Sequence, residues 1–403
     1  MRNGATAQSQ PAFRRSTFLP FAAPSIGEAE IDAVVETLRG GWLTSGPRVR
    51  EFEEAFASAV GVRHAVAVNS CTAALHLALD AVGVGPGDEV ITTPMTFAAS
   101  ANVIVHLGAK PVFADIDPLT MNIDPPQIEW ALGRCHRARA IVPVHFAGLA
   151  CEMDAITGIA QRRELSVIED AAHCFPTTYK DRLIGSIGDV TCFSFYATKT
   201  ITTGEGGMAT TDDPALADRM CTQRLHGMSR NAWMRYAESG TWRYDITAPG
   251  YKCNMPELAA ALGLVQLSRA GELARRRRAT AGRYTQAFRD TAECLETPPN
   301  AQTNDEHSWH LYVIKLRLQA LTIDRDRFIE ELRAANIGTS VHFIPLHLQP
   351  YYRDTFGLTP EDFPQSTEVS ERIISLPIYP GMSDGDIGDV IEAVTDVCRR
   401  HRR

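Results

Sequence analysis

From Ala65 to Glu169 short apolar runs alternate with helix-patterned stretches, and few architectures accept that order. The runs are Ala65–Val68, Val90–Thr92, Pro111–Ala114, Ile141–Val144 and Val167–Glu169. Between them lie a helix through Ala73, Leu75, Leu77, Leu79 and Val82, another from about Thr96 to Leu107, and others near Ile128–Leu132 and Met153–Arg163. Near-continuous apolar strands separated by helices predict an α/β fold with a mainly parallel sheet covered on both faces. Ligands of such sheets gather at the carboxyl ends of the strands. At 403 residues the chain has room for a large domain and a smaller one.

The next apolar run, Val190–Phe195, gives way to a Ser/Thr/Gly-rich turn around Lys199, followed by Gly204, Gly206 and Gly207. A lysine in such a turn is poorly placed for packing. Partial desolvation at a strand end would lower its pKa and make the amine nucleophilic. Upstream, EDAAH puts Asp170 and His173 just past another strand. A carboxylate, a planar ring and an amine at neighbouring strand ends suit a pyridine-ring cofactor. Asp170 would keep the ring nitrogen protonated, His173 would stack on the ring, and Lys199 would bond to it covalently. Singly, each has an ordinary structural explanation: helix cap, core histidine, surface lysine.

FSFYATKTITTGEGGMATT with VIEDAAHC upstream resembles the DegT/StrS family of pyridoxal-phosphate sugar aminotransferases. The likeness continues through GWLTSGP (Gly41–Pro47), VNSCTAALHLAL (Val68–Leu79), GDEVITTPMTFAASAN (Gly87–Asn102), PVHFAG (Pro143–Gly148), GYKCNM (Gly250–Met255) and VHFIPLHLQPYY (Val341–Tyr352). Within the family the chain is most similar to the UDP-4-amino-4-deoxy-L-arabinose aminotransferases. The resemblance implies the fold type I architecture, a seven-stranded-type sheet in the large domain with a smaller α+β C-terminal domain. It also implies pyridoxal 5'-phosphate as cofactor, and amino transfer from L-glutamate to the keto carbon, C4 by the subgroup likeness, of a nucleotide-linked sugar.

Residue by residue, the resemblance assigns Lys199 and Asp170 to catalysis, and Cys71, Thr72, Phe97, His173, Ser194 and Asn254 to the cofactor. Cys71 and Thr72 would offer the first N–H groups of a helix to the phosphate. The family often has glycine where this chain has Cys71; Tyr196 and Thr200 also depart from its commoner histidine and asparagine. Thr44, Ser45, His342 and His347 are the candidate substrate contacts. In the family the segment holding Asn254 serves the neighbouring subunit's site, which implies a homodimer with shared active sites. No arginine matches a motif for the donor carboxylates; Arg224 is the nearest candidate.

Residues 1–17 read as a flexible arm without the apolar centre of a signal peptide, which points to a cytoplasmic protein. Residues 18–270 are expected to form the cofactor domain and 271–403 the smaller one, entered by a charged helix to about Phe288. That domain is expected to contain a strand at Trp309–Leu316, a helix at Asp324–Ala335 and a closing helix at Asp384–Cys398. Gly227–Ala248 reads as a mobile segment that could cover substrate. The nine cysteines show no zinc or disulfide spacing, and a formal net charge of -8 disfavours a nucleic-acid partner. The run Arg275–Arg278 reads as the solvated face of a helix. A dehydratase on the same scaffold would carry histidine in place of Lys199, and a regulatory cofactor-binding protein would be free to lose it. A cysteine desulfurase or lyase would need a mobile catalytic cysteine; Cys71, Cys174 and Cys192 read as packing residues.

Overall fold

The computed structural model describes residues 13–228, 244–301 and 305–403. Seven strands make the main sheet: β1 (His64–Val68), β2 (Glu89–Thr92), β3 (Lys110–Phe113), β4 (Ala138–Val142), β5 (Ser166–Asp170), β8 (Val190–Ser194) and β9 (Gly207–Thr211), with β6 (Thr178–Tyr179) and β7 (Arg182–Leu183) forming a separate small hairpin. Their order is β1-β9-β8-β5-β4-β2-β3, and β9 alone runs against the others. The parallel α/β arrangement expected from the sequence is therefore the arrangement found.

Successive side chains of a strand point to opposite faces, and the core divides accordingly. Val66, Val68, Val90, Ala140, Val142, Ile168, Val190 and Cys192 pack with Leu75, Ala78 and Leu79 of helix α3 (Cys71–Ala81). Their neighbours Ala67, Ile91, Ile141, Val167 and Phe193 pack on the other face with Phe52 and Phe56 of α2 (Pro47–Val60) and Ile156 and Ile159 of α6 (Met153–Arg163). This two-sided burial is why these strands read as unbroken apolar runs.

A second, antiparallel sheet joins β10 (Leu295–Glu296), β11 (Tyr312–Leu316) and β12 (Ile373–Leu376). Around it pack α9 (Ala270–Ala287), α10 (Arg325–Ala334) and α13 (Asp384–His401), with Tyr284, Tyr312, Phe328, Ile374 and Val394 in one core. The start of the described chain belongs here too. Leu19 bridges Ile337, and Arg15 pairs with Asp386 and Asp389, each at 2.7 Å. Residues 13–17 of the expected arm are thus tied down, while 1–12 lie outside the described residues, as does most of the expected covering segment at 227–248.

Several boundaries differ from the sequence reading. Asp170 is the last residue of β5 rather than just beyond it, because its N–H bonds to the Pro143 carbonyl at 2.9 Å and so continues the ladder. Phe97 precedes α4 (Ala99–His106) instead of beginning it. β11 starts at Tyr312, since Trp309 takes a left-handed conformation (φ 50) and stacks on His307 with ring centroids 4.0 Å apart. Arg277 is 1% exposed, although its neighbours Arg275, Arg276 and Arg278 face solvent.

One close approach fixes the carboxyl edge of the sheet. A Cβ at Gly207, the first residue of β9, would lie 2.4 Å from the Ser70 carbonyl carbon and 2.6 Å from the Cys71 nitrogen. Both are backbone atoms at the start of α3, which cannot step aside cheaply. Gly207→Ala is expected to cost about 1–3 kcal/mol, the usual range for overpacking, measured as a lower urea midpoint at unchanged slope.

Candidate active site

A cavity of about 530 Å³ opens at the carboxyl edge, and eight of the residues expected to bind cofactor or substrate or to catalyse line it: Cys71, Thr72, Phe97, Asp170, His173, Ser194, Lys199 and His342. The strand alternation that sends Ile168 toward α3 sends Asp170 the same way. Its Oδ2 accepts from Ser100 Oγ at 2.7 Å, and Ser100 in turn meets Thr96 Oγ1 at 2.8 Å. Its Oδ1 accepts from the Ala172 N–H at 3.1 Å, and Cys71 Sγ lies 4.0 Å away. A carboxylate offers about four acceptor positions, so these donors, the weak one from Cys71 included, leave capacity for one more.

On the adjoining wall Ser70 caps α3, its Oγ accepting from the Ala73 N–H at 3.1 Å. The N–H groups of Cys71 and Thr72 come too early in the helix to have intrahelical partners. With the helix dipole behind them and the hydroxyls of Thr72 and Ser194 close by, they suit an anion.

The Lys199 amine lies between these features. Its Nζ is 3.5 Å from His310 Nε2. Burial pushes its pKa down to about 8; Asp170 opposes that shift, and Arg277 adds to it. Roughly a tenth of the amine is then free base at neutral pH, several hundred times more than for an ordinary lysine. The imidazoles around it add no charge. Burial, reinforced by Lys199, holds His173 and His310 well below the ordinary histidine value and His342 at about 4. Burial likewise raises the Cys71 thiol well above its ordinary range, so it stays protonated. His173 stacks with Phe343, ring centroids 5.9 Å apart and planes within 17°.

Four predicted residues do not line the cavity. His347 is fully buried, its Nε2 2.9 Å from Thr367 Oγ1 and its ring against Phe363, so it is a packed core histidine in this chain. Thr44 is exposed, and Ser45 and Asn254 form a group of their own. There Asn254 Nδ2 donates to Ser45 Oγ at 2.7 Å, and Ser45 donates to the Met255 carbonyl at 2.7 Å. Arg224 is spent on Glu53 and the Ala67 carbonyl. Sequence reasoning missed Ser100, His310, Phe343, Phe21 and Arg277. Only the histidine pair in HSWH was a visible signal, and nothing in its spacing ties it to Lys199.

The donor chemistry suits a phosphorylated pyridine aldehyde: an anion cradle at α3, a carboxylate for a ring N–H and a partly neutral amine. A family model described as the DegT/DnrJ/EryC1/StrS aminotransferase family matches residues 24–395. The chain belongs to this family. It is 54% identical over 387 residues to the spore coat polysaccharide biosynthesis protein SpsC of Bacillus subtilis, covering 96% of this chain and 98% of that one.

Among solved structures, Spr1654 from Streptococcus pneumoniae in its PMP-form is 36% identical with a TM-score of 0.88, over 95% of this chain and 99% of that one. Its PLP-form gives a TM-score of 0.87. PseC of Helicobacter pylori, an aminotransferase involved in the biosynthesis of pseudoaminic acid, is 29% identical with a TM-score of 0.87, over 96% of this chain and all of that one. This chain is a fold type I sugar aminotransferase dependent on pyridoxal 5'-phosphate. Among the described residues no helix is long and apolar enough to cross a membrane.

Only the neutral amine reacts with acylating reagents. In cofactor-free protein, labelling of Lys199 followed by mass spectrometry should therefore rise about tenfold per pH unit and level off above a midpoint of about 8. A midpoint at the ordinary lysine value of 10.5 would contradict the environment described.

Proposed function

We propose that the chain transfers the amino group of L-glutamate to the C4 keto carbon of a nucleotide-linked sugar, in two half-reactions that share one site. The observation that carries this reading is the convergence of Lys199, Asp170 and the α3 N-terminus on one cavity. When bound, pyridoxal phosphate supplies a carbon that carries nitrogen between the two substrates and a ring that draws electrons from the reacting carbon.

The chain's residues do the rest. Lys199 anchors the cofactor covalently, and once released its Nζ takes a proton from the substrate carbon and returns one, the work of a general acid and base. The Asp170 carboxylate, its orientation fixed by Ser100 and the Ala172 N–H, would hold a proton on the ring nitrogen. Cys71, Thr72 and Ser194 hold the phosphate. His173 and Phe97 would flank the ring, and His342 would border the sugar. Thr44, Ser45 and Asn254, which do not line this cavity, are assigned to the site of a second copy in a homodimer. The polysaccharide role named for the Bacillus relative supports a product destined for a surface polysaccharide, made in the cytoplasm.

The deciding measurement is the absorption spectrum of the loaded protein with L-glutamate and no sugar. Loss of the long-wavelength band of lysine-bound cofactor, with growth of the pyridoxamine band, is expected; a keto-sugar nucleotide that reverses it identifies the acceptor. An unchanged spectrum rules out glutamate. Lys199→Ala should lose more than the roughly 10²–10⁴-fold typical of one general base, because the covalent anchor goes too. Asp170→Asn should bind cofactor and turn over slowly, since an amide cannot hold the ring proton. Turnover at the parental rate in either variant would refute that residue's role.

A further inference from the structure

Arg277 is the one member of the Arg275–Arg278 run that points inward from α9, and it is 1% exposed. Its Nη1 donates to the carbonyls of Ile378 (2.8 Å), His310 (3.2 Å) and Trp309 (3.3 Å), and its Nη2 to the carbonyl of Thr198 (3.4 Å). Its Nε is buried without an acceptor. Among the described residues no carboxylate pairs with it, and burial pulls its pKa down to about 10.

A guanidinium in this state is costly, because carbonyl dipoles replace its water only in part and no anion offsets its charge. If the need were only to hold four carbonyls, neutral donors would do it at lower cost. The carbonyls belong to three separate parts of the chain: the loop bearing Lys199, the segment bearing His310, and the exit of β12. The first two carry the side chains that meet at 3.5 Å in the cavity.

We propose that Arg277 is a positioning residue for amino transfer, fastening the backbone on both sides of the Lys199–His310 pair and setting an uncompensated positive charge against the loop that bears the amine. The proposal rests on Lys199 as the catalytic amine.

The groups facing Lys199 give the sign. Asp170 from the end of β5 favours the ammonium, whereas Arg277 from α9 disfavours it; the Cys71 thiol, held protonated by burial, carries no charge. His173, His310 and His342 are held neutral by burial. Burial of Lys199 itself remains in any Arg277 variant that folds. Removing the guanidinium charge therefore leaves Asp170 less opposed, raises the amine's pKa and shrinks the neutral fraction at pH 7.

The test is the acylation of Lys199 against pH in cofactor-free protein, read by mass spectrometry, for Arg277→Met, Arg277→Gln and Arg277→Lys. The two neutral variants should raise the midpoint and lower labelling at neutral pH accordingly, while Arg277→Lys keeps the parental midpoint. A folded neutral variant with an unmoved midpoint overturns the proposal, since a purely structural arginine would change stability and leave titration alone. Should both neutral variants fail to fold, Arg277→Lys decides it: a retained midpoint supports the charge role, and one that rises overturns it. Because the assay contains neither cofactor nor substrate, its result is separate from that of Lys199→Ala, whose retained activity would remove the catalytic amine instead.

Discussion

Two neighbouring residues of β5, Glu169 and Asp170, carry carboxyl groups to opposite faces of one sheet, and the site depends on that separation. Glu169 is fully buried on the α2 face, where it meets His145 Nε2 at 2.8 Å, Thr191 Oγ1 at 2.7 Å and the Gly188 N–H at 2.7 Å. Burial alone would raise its pKa, but these hydrogen bonds outweigh it and keep the carboxylate charged. His145 Nδ1 accepts from the Cys151 N–H at 3.0 Å, which leaves the proton on Nε2, pointing at Glu169. The end of β5 is thus fixed from behind by a satisfied polar cluster. Asp170, one residue on, is free to face the cavity.

The cavity's charge arrangement is spare for so polar a lining. Three imidazoles lie near Lys199, yet burial keeps them neutral, and the Cys71 thiol keeps its proton. The formal charges that shape the amine are those of Asp170 and Arg277, on opposite sides of it in effect if not in distance. A low-dielectric site with few charges lets each act strongly, because little water is present to screen it.

Much of this was legible in the sequence. Strand–helix alternation announces a sheet covered on both faces, and Lys199 and Asp170 stand out because lysine and aspartate at strand ends serve packing badly. What was hidden shares one cause. Ser100 reaches Asp170 across 70 positions, and His310 reaches Lys199 across 111, so no local pattern records either meeting. Arg277 was misread for a related reason: four arginines in a row look like solvated surface, and only the helix's rotation shows that one of them turns inward. His342 and His347 sit five residues apart in one motif, yet the chain buries the second against Phe363 and leaves the first on the cavity.

The chain also closes on itself. Arg15 is ion-paired to Asp386, 371 positions later, and Phe21 lines the cavity with its ring stacked on His342, centroids 5.5 Å apart. During synthesis from the N-terminus, the first wall of the cavity to leave the ribosome must therefore wait for Ile337 and His342, and for its ion pairs for α13, before these contacts can hold it. Contacts of such sequence separation form late, because the loop they close must be ordered first. The large sheet can assemble while the rest of the chain is being made, but the lip over its binding edge cannot. A chain interrupted before α13 would lack the ion pairs of Arg15 with Asp386 and Asp389 that fasten the start of that lip.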